Sequence, residues 1–164
     1  MKFPRSVIRK VCFGVVLISL AACVALLIKE NLDTKDPQSA LPSIDVIYNG
    51  NSLPETSVFR AGYSWNFLTT IEDFPAMAPE DIPLYPVDVL PQIQMEIKFS
   101  KPPKELKISR ADGRYSQDFI EIATDVTGEM LSPSVPGVYV YKVEASWGMR
   151  GSILYYFALQ TKQV

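Results

Sequence analysis

Eighteen consecutive uncharged residues, Val11 to Ile28, constrain this chain more than any other feature. As a helix rising ~1.5 Å per residue they span ~27 Å, close to the ~30 Å hydrocarbon core of a bilayer. Lys2, Arg5, Arg9 and Lys10 precede the run, and no acidic residue does. That asymmetry predicts a cytoplasmic segment over residues 1–10, a transmembrane anchor over 11–28, and everything beyond it outside the cell.

A secretory signal opens in the same way, with a basic start, an apolar region and small residues at a cleavage site. Leu20-Ala21-Ala22-Cys23 resembles the lipobox of bacterial lipoproteins. That resemblance implies cleavage after residue 22 and lipid on Cys23. A lipoprotein usually turns polar after its cysteine, whereas Val24 to Ile28 stay apolar. Two readings therefore stand side by side: an uncleaved anchor, or a lipoprotein acylated at Cys23 on the outer face. Both hold the C-terminal part outside the cell, at the membrane.

The rest of the chain is acidic. From Lys29 onward there are twelve basic and eighteen acidic residues, a balance of −6. Nucleic acid is not an expected partner, since it requires a basic face to neutralise phosphates. Cys12 and Cys23 are the only cysteines, so an external domain would depend on its core rather than on disulfides. The sequence contains no histidine. It therefore lacks the commonest general base and the commonest transition-metal ligand, which excludes Ser-His-Asp hydrolases and zinc enzymes of the usual type. No cofactor, metal or catalytic residue is expected.

Glu30 to Pro42, "ENLDTKDPQSALP", is polar and without periodicity. It reads as a tether over residues 29–42, followed by one domain over 43–164. Short strands dominate that domain. "IDVIY" runs into Asn49-Gly50, a tight-turn signal. "QIQMEIKFS" alternates strictly, with Ile93, Met95, Ile97 and Phe99 on one face. "GVYVYKVEASW" and "SILYYFALQ" predict a hairpin about the turn Gly148 to Gly151. One face of it carries Tyr139, Tyr141, Val143, Ala145 and Trp147, together with Ile153, Tyr155, Phe157 and Leu159. Tyr156 falls on the other face, exposed or under a loop. No amphipathic helix appears beyond the anchor. About seven strands separated by turns and prolines predict an all-β sandwich.

Pro136-Gly137-Val138-Tyr139-Val140-Tyr141 resembles the start of strand F in immunoglobulin-like domains, where a tyrosine ties the preceding corner to the strand. The resemblance makes Tyr139 that structural corner, with its hydroxyl bonded near the Leu131–Pro136 connection. Tyr141 then stands where antibody domains have cysteine, and Trp65 is a loose match to the core tryptophan. "GYSWN" and "PGVYVYKVEASW…YYFAL" are similar to small extracytoplasmic domains of Gram-positive bacteria, including C-terminal ectodomains of BlaR1-like membrane sensors. The similarity spans roughly Pro42 to Leu159 but rests on two short motifs, and it implies no catalytic residues.

Thr69 to Pro91 is long for a loop and holds Pro75, Pro79, Pro83, Pro86 and Pro91. Phe74, Met77, Ile82, Leu84 and Tyr85 make it either an edge cover or a recognition loop. Its carboxylates Glu72, Asp73, Glu80 and Asp81 read as a solvated loop, since no calcium-loop pattern accompanies them. Lys98, Lys101, Lys104, Lys107, Arg110 and Arg114 read as the soluble face of an edge hairpin, with contact to anionic polymer or lipid as the sharper reading. The sequence thus predicts a non-enzymatic, membrane-tethered module for binding or sensing an envelope protein or wall polymer. The alternative is an accessory or structural subunit of a membrane or secreted partner.

Overall fold

A computed structural model describes residues 5–114, 116–123 and 127–162. The chain begins with a 29-residue helix, α1 (Arg5–Asp33), and a single helical turn, α2 (Pro37–Ala40). Eleven strands follow among the described residues: β1 (Ile44–Tyr48), β2 (Asn51–Ser52), β3 (Val58–Asn66), β4 (Ile71–Phe74), β5 (Val87–Val89), β6 (Gln94–Phe99), β7 (Glu105–Asp112), β8 (Ile120–Ala123), β9 (Glu129–Leu131), β10 (Gly137–Ser146) and β11 (Gly151–Thr161). The smaller sheet has the order β2-β1-β6-β9. The larger runs β4-β3-β11-β10-β7-β8, and β5 joins it in parallel to the last residues of β11.

The two sheets enclose one core because their strands alternate. Tyr139, Tyr141, Val143 and Ala145 of β10 face inward beside Ile153, Tyr155, Phe157 and Leu159 of β11, and all are buried. Met95 and Ile97 of β6 and Val46 of β1 close the core from the smaller sheet. Aromatic rings fill much of it. Tyr141 stacks on Phe157 with centroids 4.6 Å apart, and Trp147 meets Trp65 edge-on at 5.5 Å. Such pairs add about 0.5–1.5 kcal/mol each beyond the area they bury. The Asn49-Gly50 turn joins β1 to β2 with both residues at positive φ, 48° and 77°, as a type I′ hairpin turn requires.

Several expectations need correction. The strand count exceeds seven because β2, β4, β5, β8 and β9 have two to four residues each, too few to show a period. Lys98 and Lys107 do not share a hairpin: β6 and β7 are consecutive but lie in different sheets. The stretch 29–42 is not a free tether. The helix continues to Asp33, Leu41 is buried in the main core, and the Tyr155 hydroxyl donates to Pro42 O at 2.6 Å. Arg60 adds bonds from Nη1 to Gln38 O (3.1 Å) and Gln38 Oε1 (2.8 Å). The folded unit therefore starts before Ser43. Polarity alone misled here, because the docking is carried by backbone carbonyls and by Leu41, which leave no periodic signal.

Candidate functional site

The outer face of the larger sheet has two halves. In one half, Ala61, Val140, Tyr156 and Ala158 form a second apolar cluster, capped by Ile82 and Leu84. The cap is the chain between β4 and β5. After pairing with the free edge of β3, this segment turns back across the sheet as a strap. Met77 N donates to Ala61 O at 2.8 Å, and the Arg114 guanidinium holds Leu84 O at 3.1 Å. Gly62 lets the strap approach, since a Cβ there would lie 2.7 Å from Ala76 Cα.

The other half is uncovered and forms a groove of about 1040 Å³. Strand register explains its floor. Ser64 pairs with Ser152, and Ser152 with Ser146, so three outward serines form a row across β3, β11 and β10. The next row is Gly62, Leu154, Glu144 and Lys107. Small side chains on adjacent strands make a trough; the strap makes its wall. Phe74 pairs with Tyr63 and stacks on it with centroids 6.0 Å apart, so its ring, 41% exposed, lies on the core side of the sheet, opposite the serines.

The lysines on the floor are paired, whereas Asp73 and Glu105, which also line the groove, take part in no ion pair among the described residues. Lys142 Nζ lies 3.0 Å from Glu144 Oε1, and Lys107 Nζ lies 2.8 Å from Glu121 Oε2. The bond to Glu121, and then its charge, hold the Lys107 ammonium above the usual lysine range. The Tyr156 hydroxyl is also pushed up, chiefly by burial and further by Glu144 and Glu80. The groove thus offers hydroxyls, two internal ion pairs and the carboxylates of Asp73 and Glu105. That surface suits an extended polar chain making hydrogen bonds.

The sequence candidates separate accordingly. Of the five proposed recognition residues, Ile82 and Leu84 are buried and Met77 packs against their cluster, so these three hold the strap down. Phe74 borders the groove but turns its ring to the other face of the sheet, and Tyr85 is 70% exposed elsewhere on the strap. The segment covers an edge of the larger sheet through β4 and part of its face through the strap. The basic residues are dispersed, with Lys98 on Glu96 and Arg110 on Asp112. The Tyr139 hydroxyl donates to Val135 O at 2.7 Å, and Trp65 lies in the core. Cys23 is exposed within α1. Among the described residues, no group of histidine, cysteine or carboxylate side chains is arranged to hold a metal.

Sequence reading missed the serine row entirely. Each serine looked like an ordinary outward position, and only the pairing register places the three side by side. Comparison with protein-family models, with curated proteins and with solved structures finds no match, so nothing there links the chain to the sensor ectodomains that two of its motifs resemble.

Proposed function

We propose that the chain is a membrane-anchored, extracytoplasmic immunoglobulin-like module that binds an envelope polymer or protein segment in the serine-floored groove. Its anchor is α1, uncleaved. Supporting this, α1 is one continuous helix with Val11, Phe13, Ile18 and Leu26 more than half exposed, an apolar surface that water does not tolerate but lipid does. The lipoprotein reading keeps Cys23 as the alternative.

The immunoglobulin-like reading draws on connectivity. β10 and β11 correspond to strands F and G, β7 to C and β8 to an added C′; β1, β6 and β9 correspond to A, B and E on the opposite sheet. The Tyr139 bond to Val135 O has the form of a tyrosine corner. The β3–β4 hairpin, set against the edge of β11, is an addition to that frame.

The observation that carries the binding role is the groove itself: a row of small hydroxylated side chains left open, in a protein that otherwise covers its apolar sheet face. The test is isothermal titration of the full chain in detergent with solubilised wall fragments. Ser64→Arg and Ser152→Arg should both keep the wild-type melting curve and lose binding. Retention of binding by both variants would refute the groove. The accessory-subunit reading has its own support. Leu90, Leu131 and Val135 are each more than half exposed, and Ser132 Oγ joins two of these loops by donating to Leu90 O. A stoichiometric membrane partner that survives Ser152→Arg but not Leu131→Asp would favour it.

A further inference from the structure

We infer that the end of the sandwich nearest α1 rests on the membrane surface, with Leu68, Ile71 and Met149 entering the interface and Lys101 and Lys104 meeting anionic headgroups. This rests on the reading of α1 as a membrane anchor.

The geometry begins with Glu30. It lies two residues beyond the uncharged run, so its Cα sits ~3 Å along the helix from Ile28. The polar interface of a bilayer is about 5–7 Å thick on each side. Glu30 therefore falls within that layer when residues 11–28 fill the hydrocarbon. Yet Glu30 is only 5% exposed, because the domain covers it. Arg150 Nη1 donates to Glu30 Oε1 at 3.1 Å and to Asn66 O at 3.1 Å. One guanidinium thus joins the helix end to two hairpin tips, those of β10–β11 and β3–β4. The bonds from Arg60 to Gln38 and from Tyr155 to Pro42 fix the following residues as well. The tips are drawn down to the level of Glu30.

What these tips display fits that level. Met149 is 92% exposed, Ile71 63% and Leu68 59%. Leu68 is held at φ 66°, a conformation costly for a residue with a side chain, and that conformation presents its side chain at the tip. Leu68 belongs to neither apolar cluster of the domain. Lys101 and Lys104 belong to the third loop at the same end, between β6 and β7. Trp147 Nε1 donates to Lys101 O, and the Lys104 side chain lies over Gly148. Neither lysine takes part in an ion pair among the described residues. Apolar tips flanked by unpaired lysines, continuous with a membrane-spanning helix, suit an anionic lipid surface.

The test uses the full chain with Cys12→Ala and Cys23→Ala, reconstituted in nanodiscs of phosphatidylcholine mixed with phosphatidylglycerol and a doxyl-labelled lipid. Single cysteines carry a fluorophore at Met149→Cys, at Ile18→Cys within the helix, and at Asn51→Cys at the opposite end of the sandwich. The label at 149 should be quenched several-fold more than the label at 51. Replacing both lysines, Lys101→Ala with Lys104→Ala, should lower the docked-to-undocked ratio about fivefold per lysine, and this loss should vanish in pure phosphatidylcholine. Equal, weak quenching at 149 and 51 with strong quenching at 18 would overturn the docking and leave the anchor standing. Weak quenching at 18 would overturn the anchor, and the docking with it.

Discussion

Tyr139 and Tyr141 stand two residues apart on the same buried face, yet their hydroxyls differ. Tyr139 donates to Val135 O, whereas the Tyr141 hydroxyl is buried with no hydrogen-bond partner. Arg110 lies near enough to favour the Tyr141 phenolate, but its Nε is committed to Asp112 at 3.1 Å. Tyr139→Phe should cost about 0.5–1.5 kcal/mol, the net worth of one hydrogen bond. Tyr141→Phe should be neutral or stabilising, since a hydroxyl buried without a partner costs about 1–3 kcal/mol. Urea denaturation of the two variants checks the order, and the reverse order would contradict the assignment. Burial pushes Tyr141 and Tyr155 up to about 12, with Arg110 and Arg60 opposing it. In the unfolded chain both ionise near ~10. The folded state holds their protons longer, so the stability linked to them is complete below pH ~10 and lost as pH rises toward 12. Melting temperatures should fall across that window, and Tyr141→Phe should flatten the fall.

At the scale of elements, the strap decides what the larger sheet presents. Gly62→Ala places a Cβ against the Ala76 backbone, which cannot rotate away as a side chain could. It should cost about 1–3 kcal/mol and loosen the strap. Hydrogen exchange at Met77 N, bonded to Ala61 O, should then quicken more than exchange in β10. Unchanged protection at Met77 would mean that the strap is held elsewhere. The long elements were legible because burial imposes a period. The β10–β11 hairpin and the inward face of β6 follow directly from alternation. Ile82 and Leu84 carry no period, being single contacts from an irregular strap, so the sequence could flag the segment as unusual without saying which residues were packing. Ile120 and Ile122 show the opposite limit: apolar and strand-forming, they lie exposed on β8 while Phe119 packs against Tyr156. The serine row depends on register between distant strands, which no local pattern encodes.

For the molecule as a whole, the junction between α1 and the sandwich is the critical joint. Glu30 is nearly covered, and its Oε2 has no partner. Arg150→Ala would leave the carboxylate without the one cation paired with it among the described residues, and should cost about 1.5–3 kcal/mol, as for other hydrogen bonds to charged groups. The same change should free the helix from the hairpin tips, so proteolysis between Asp33 and Leu41 should accelerate while the isolated domain keeps its strand spectrum. The account as a whole requires that α1 remain part of the working protein. Its most direct test is the intact mass of the protein extracted from membranes of expressing cells, for wild type and Cys23→Ala. An unmodified mass that includes residues 1–22, with Cys23→Ala equally retained in the membrane, is the expected result. A product beginning at Cys23 and carrying lipid, lost from the membrane on Cys23→Ala, would contradict it.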